Sequence, residues 1–336
     1  MQTRRASALA LAVTLALAAP AAAQPPPRSA DGHPDLSGNW SNVSLTKLER
    51  PSNLKGLTMP EAEAKRLAAN DPILRQAQAD RNPSDPNAGP LAPGGSTGHD
   101  AVFLDNGTAY AQIKGEYRTS WIVEPADGRM PLTELGQRRR REAAAMSNRM
   151  DPAGPEDLAP NDRCLIGSRN SGGPGMLNNV YNSNYQFLLT RDALVVIVEM
   201  GFGVRTIPIL KDKAAAQAAH GPAVLHRWMG DATAWWEGDT LVVETVNVNP
   251  VQGRFGPIFL SEKGRVTERL TRTSAKEIAY EFTVEDPDHY TQAWKAEMVL
   301  TALGGQIYEY ACHEGNYAMT GILGGARAKE SGGSAP

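Results

Sequence analysis

Ala232-Thr233-Ala234-Trp235-Trp236-Glu237-Gly238-Asp239-Thr240-Leu241-Val242-Val243-Glu244-Thr245-Val246-Asn247-Val248 reads as two β-strands joined by a tight turn. β-Branched and aromatic residues fill both arms, and Glu237-Gly238-Asp239 supplies the turn, where glycine reaches backbone angles closed to other residues. The same texture runs outward in both directions. Residues 185–190 and 193–200 flank Arg191-Asp192 as another hairpin, 204–210 is the next strand, and 266–273, 278–285, 294–301 and 306–312 follow the quoted stretch. Short connections between neighbours predict an antiparallel meander, and closing the meander into a barrel removes its open edges. The predicted fold is therefore mainly β, an antiparallel barrel behind a partly helical, loop-rich N-terminal portion.

Upstream of residue 185 the pattern changes. Residues 58–70 read as a helix, with Thr58 and Glu61 as a capping box and Pro60 in the first turn. Residues 133–146 read as a second helix, with the arginines at 138–141 on a solvated face. Residues 82–99 form a Pro/Gly/Asn/Asp/Ser tract without periodicity, a long loop, and residues 151–175 form another that carries Cys164. A strand at 117–124 turns at Ala126-Asp127-Gly128. The expected division is a signal at 1–23, an extended segment with one helix at 24–110, a single barrel domain at 111–328 and a disordered tail at 329–336.

The signal reading rests on Arg4 and Arg5, an apolar run at 8–19, a break at Pro20 and the small residues Ala21-Ala22-Ala23. That run is well short of the roughly 20 residues a spanning helix needs, so export to the periplasm or the medium is expected, with no anchor after cleavage. Removing Arg4 and Arg5 takes the formal net charge from −3 to −5, which gives no electrostatic case for nucleic acid or anionic membrane. In an oxidising compartment the two cysteines, Cys164 and Cys312, are expected to pair.

The strands carry polar residues in apolar company. Glu244 alternates onto a face with Val242, Val246 and Val248, and Glu268 stands beside Leu270. Glu281 lies opposite Tyr280, Phe282 and Val284 on its strand. Interior carboxylates such as Glu244 or Glu281, with Arg205 and Arg269 near them, would supply a general base and a stabiliser for a leaving oxygen. Internal salt bridges and cross-strand pairs on the outer face produce the same pattern. The densest polar run is Tyr308-Glu309-Tyr310-Ala311-Cys312-His313-Glu314-Gly315-Asn316-Tyr317. It offers His313 and Glu314 as catalytic groups and Tyr310, Asn316 and Tyr317 as substrate contacts, to which Asn182 and Tyr185 are added from the turn before the meander. Position 317 is Tyr, so the run is not a zincin H-E-x-x-H; a divalent ion there would need ligands from elsewhere, such as His226 or His289. Chemistry without a cofactor and chemistry with one divalent metal both remain open.

Gly38-Asn39-Trp40 resembles the G-x-W that opens the first strand of lipocalin-like barrels, where the Trp plugs one end. More broadly the chain resembles a widespread family of exported bacterial proteins. The resemblance lies in residues 34–40, Trp228-Met229-Gly230-Asp231, residues 236–243, Glu268-Arg269, residues 280–286, residues 308–317 and Gly325-Ala326-Arg327. It implies an exported single-domain protein from bacteria that live on plant-derived and aromatic matter, and it transfers no catalytic assignment. The function expected is an exported enzyme on small aromatic compounds, with non-redox cleavage of an aryl ether as its concrete form. Two alternatives are a periplasmic carrier of a hydrophobic ligand and a metal-dependent hydrolase centred on His313 and Glu314.

Overall fold

Side chains on a strand alternate between its two faces, so a sheet of alternating apolar and polar residues hides one face by closing on itself. A computed structural model describes residues 25–72, 74–75, 105, 107–147, 152–201 and 203–332; the expected signal and the 82–99 loop lie outside the described residues. The strands are β1 (Gly38–Ser41), β2 (Thr58–Met59), β3 (Gln112–Ile113), β4 (Glu116–Arg118), β5 (Ile122–Glu124), β6 (Asn184–Leu189), β7 (Ala193–Val198), β8 (Val204–Pro208), β9 (Asp231–Glu237), β10 (Thr240–Val246), β11 (Arg265–Ser274), β12 (Glu277–Glu285) and β13 (Trp294–Ala302). The helices are α1 (Glu61–Ala69), α2 (Glu134–Ser147), α3 (Lys213–Ala218), α4 (Pro250–Phe255) and α5 (Tyr317–Glu330).

The mainly β expectation holds. Nine strands run in the order β8-β7-β6-β1-β13-β12-β11-β10-β9, every pair along the path antiparallel. The Ile209–Ala234 bridge then brings the β8 end against β9, so the barrel is nearly closed. One strand is exchanged relative to expectation. Residues 306–312 form no strand, because β1 pairs β6 on one side and β13 on the other and leaves neither edge free. Trp40 in β1 is fully buried and donates its indole N–H to the Leu36 carbonyl at 3.0 Å. α5 also continues to Glu330, through the first residues of the expected disordered tail. At the first helix, Thr58 pairs within β2 and Pro60 takes the N-cap, so the expected capping box does not form. At α2, Thr133 Oγ1 accepts the Gly136 N–H at 3.1 Å and starts the helix.

Among the described residues, large side chains crowd the interior. Tyr185, Phe187, Leu194, Val196, Leu241, Val243, Tyr280, Phe282, Trp294 and Met298 all belong to one buried cluster. Into it the loop before β6 inserts backbone, and Gly173 and Gly175 lie there at φ +85° and +71°. A Cβ at Gly173 would sit 2.6 Å from Arg205 Nη1, and one at Gly175 would sit 2.9 Å from Ile258 Cδ1. Gly175→Ala is therefore expected to lower stability by about 1–3 kcal/mol, combining positive-φ strain with overpacking. A thermal melt unchanged from wild type would refute this close fit.

Cys164 and Cys312 form the expected disulfide, 148 residues apart in sequence. It ties the segment after β13 to the 152–176 loop, helped by Asn316 Nδ2 donating to the Asp162 carbonyl at 2.9 Å. Replacing both cysteines with serine is expected to lower stability by about 2–4 kcal/mol through the freer unfolded chain. An equal denaturant midpoint with and without the bridge would contradict that expectation.

Candidate active site

Beyond β12 the chain turns through Asp286-Pro287-Asp288-His289-Tyr290, and this turn is held from several sides. Thr133 donates its backbone N–H to the His289 carbonyl at 2.9 Å and its hydroxyl to the Asp288 carbonyl at 2.7 Å, fixing the turn to the start of α2. Tyr290 packs edge-on against Trp294, and its hydroxyl accepts the Phe259 N–H at 2.9 Å. The backbone that carries His289 is thereby anchored to the barrel core.

Asp286 is buried. It accepts the Ser261 hydroxyl at 2.9 Å, the Asp288 N–H at 3.0 Å, the Ser261 N–H and, at 3.1 Å, Nδ1 of His289. Burial acts to raise its pKa, but the bonds from His289 and from the Ser261 backbone and hydroxyl outweigh it and hold the carboxyl below its ordinary value. An ionised carboxylate only accepts, so Nδ1 must carry the proton it shares with Asp286. Nε2 of a neutral His289 is then a bare acceptor with its ring orientation set. Ser261 spends its hydroxyl on Asp286 and makes no bond to His289, so the group is a carboxylate–imidazole dyad and not a serine triad.

His289 lines a groove of about 420 Å³ between α2, α4 and the 259–262 segment. Leu135, Val251 and Phe259 give it an apolar wall, Arg139 and Arg254 stand along it as cations, and Glu262 and Asp288 as carboxylates, the latter paired with Lys263 at 2.7 Å. Arg139 pairs with Glu142 at 2.8 Å, whereas Arg254 lies over the Phe255 ring and has no ion pair among the described residues. The Phe259 ring lies tilted against His289 with centroids 6.1 Å apart. An imidazole nitrogen beside apolar surface can take a proton, and the Arg254 guanidinium, which lies over the Phe255 ring at 5.8 Å, can offset the charge that develops.

The expected residues lie elsewhere and do not converge. Odd-numbered positions of β10 face inward, as Leu241, Val243 and Thr245 show, so Glu244 points outward. Its valine company is explained by a second apolar layer of Ala216, Trp235 and Val242 beneath α3. There Glu244 accepts from Gln217 Nε2 at 3.1 Å and lies 3.4 Å from His220 Nε2. Glu281 is likewise outside, because its neighbours Tyr280 and Phe282 take the interior; it pairs with Lys295 at 3.0 Å. Arg269 pairs with Glu237 on the outer face at 2.8 Å. The interior-base expectation for Glu244 and Glu281 is thus corrected by the phase of each strand.

Arg205 does face inward. Its guanidinium meets the Glu268 carboxylate at 3.1 and 2.5 Å, and Glu268 also accepts the Tyr280 hydroxyl at 2.6 Å and the Gly175 N–H at 3.3 Å. These groups are sealed by the glycine loop, which makes them a fastening for the plug. Tyr185 is sealed with them, its hydroxyl donating to the Ser171 carbonyl at 3.0 Å. Asn182 sits in a left-handed turn at φ 52°. His313 and Glu314 are exposed, Tyr317 is 83 % exposed, and Tyr310 and Asn316 line a separate cleft beside the disulfide. Among the described residues no group of three His, Cys, Asp or Glu is placed to hold a metal ion, so His313 and Glu314 find no further ligand there.

Asp286 and His289 were legible only as a spacing. An Asp three residues before a His, in a turn just after a strand, lets the carboxylate reach back to Nδ1. Comparison with family models, with curated proteins and with solved structures gives no match, and the site rests on its own geometry.

Proposed function

We propose that the chain is an acid–base enzyme whose active site is the His289 groove, acting on small aromatic compounds outside the cytoplasm. The observation that carries the reading is His289, held through Nδ1 by a buried Asp286 on the wall of a groove lined by apolar, cationic and anionic side chains. His289 Nε2 takes the proton of a substrate hydroxyl. That oxygen bonds to the neighbouring carbon, the carbon–oxygen bond to the aryl group breaks, and the phenolate leaves with the electron pair. The imidazolium returns its proton to the phenolate, so no redox partner is consumed. Arg254 supports the negative charge on the departing oxygen.

The carrier alternative needs a lumen, and the side chains and glycine loop that fill the barrel leave it without that support. The test is incubation of the full chain with aryl ethers and aryl esters, followed by mass spectrometry. A free phenol released by wild type and not by His289→Ala is the expected result. Release by both proteins alike, or by neither across the panel, would overturn the reading.

A further inference from the structure

The cleft beside the disulfide is chemically unlike the His289 groove. It encloses about 460 Å³ between the loop carrying Asn161 and Asp162, the segment around Cys312 and the first turns of α5. Tyr181 and Tyr310 provide aromatic surface, Leu158, Met319 and Ile322 provide apolar surface, and Asp162 is the one carboxylate on its wall.

Every other polar group on the wall named here is already engaged. Asn316 spends its amide on the Asp162 carbonyl and on capping α5, where its Oδ1 accepts the Met319 N–H at 3.3 Å. Asn161 Nδ2 donates to Asp162 Oδ1 at 2.9 Å. The Asp162 carboxylate takes its hydrogen bonds from neutral groups, and among the described residues no cation forms an ion pair with it. Asp162 is exposed on its outer side, and partial desolvation along the cleft still raises its pKa beyond what the hydrogen bonds it receives offset. A carboxylate that shares the cleft with tyrosine rings and a thioether thus has no ion pair among the described residues. Aromatic faces attract cations, and a low-polarity wall favours the organic part of an alkylated or aryl amine over a hydrated metal ion.

From this juxtaposition we propose that the cleft is a second ligand site, which takes a small organic cation with an apolar or aromatic body. The ammonium meets Asp162, and the body lies between Tyr181, Tyr310 and Met319. The site is independent of the His289 groove and involves no bond-making step.

The test is titration of the full disulfide-bonded chain with benzyltrimethylammonium, monitored by NMR shifts, beside benzyl alcohol as the uncharged probe. Saturable binding is expected, at least about tenfold tighter for the cation, since both the ion pair and the ring contacts favour it. Asp162→Asn is expected to weaken the cation about tenfold and leave the alcohol unchanged, and Tyr310→Leu is expected to weaken both. His289→Ala should bind the cation as wild type does, which separates this site from the proposed activity. Equal binding of both probes, or an Asp162→Asn protein that melts as wild type and binds the cation undiminished, would overturn the proposal.

Discussion

Glu268→Ala is expected to lower stability by about 3–5 kcal/mol, because it leaves the Arg205 guanidinium charged and buried without its counter-ion. Arg205 and Glu268 are 5 % and 1 % exposed, and the bonds that fasten the 167–176 loop converge on them. Glu268 takes the Gly175 N–H directly, while the Tyr280 hydroxyl both donates to Glu268 and accepts the Met176 N–H at 2.8 Å. Glu268→Gln retains the shape and removes the charge, so nearly the same loss is expected from it. The double variant Arg205→Met/Glu268→Met removes both charges and keeps the volume, and should recover much of the loss. Denaturant melts of the three proteins check this. Single variants within 1 kcal/mol of wild type would show that water reaches the pair and that the plug is held by packing alone.

The same pair sets the response to acid. Burial acts to raise the Glu268 pKa, but Arg205, the Tyr280 hydroxyl and the Gly175 amide outweigh it, so the folded-state value lies below the ordinary one. A carboxylate lowered by folding stabilises the fold at neutral pH and loses that contribution as pH falls through its folded value, which lies under the ordinary glutamate value. The melting temperature of wild type should therefore fall more steeply than that of the double methionine variant as the pH drops under the ordinary glutamate value.

Much of the barrel was legible because strand alternation is a local property. Residues 193–200, 240–248 and 278–285 announce their strands without reference to anything distant. Which face turns inward is not local. In β10 the inward set contains Thr245 and the outward set contains Glu244 between valines, because α3 lays a second apolar layer on that side. Apolar company alone cannot separate an inner wall from an outer wall that a helix covers. The interruption of the meander by β1 is also non-local: residues 38–41 pair with strands about 150 and 260 positions away, distances at which sequence pattern carries no pairing information. Arg205 and Glu268 stood out as polar residues on apolar strands, yet their purpose appears only with the glycine loop that completes them. Asp286 and His289 carry no motif at all. Their alignment comes from a turn pinned by Thr133, the residue before α2, about 150 residues upstream.

His289→Ala is expected to lower kcat by about 10²–10⁴ on any substrate the groove turns over, with KM changed little and the melting temperature lowered, since the buried Asp286 carboxylate loses one of its donors. The residue lies on the groove wall, and its removal leaves Asp286 with the Ser261 hydroxyl and two backbone N–H partners. Asp286→Asn tests orientation without removing the base. An amide nitrogen turned toward Nδ1 donates where the carboxylate accepted, so the proton moves to Nε2 and the nitrogen facing the groove ceases to be a base. A loss of kcat close to that of His289→Ala is expected, with an added loss of stability, because the buried carboxylate is favoured in the folded state. Ser261→Ala separates the dyad from a nucleophilic serine. It removes one of the four bonds to Asp286 and leaves the carboxylate–imidazole contact in place, so less than about a tenfold loss is expected, whereas loss of a nucleophile would abolish turnover. Three variants with equal and small effects would move the chemistry away from His289, while the ordering His289→Ala and Asp286→Asn far below Ser261→Ala belongs to a base oriented by a buried carboxylate.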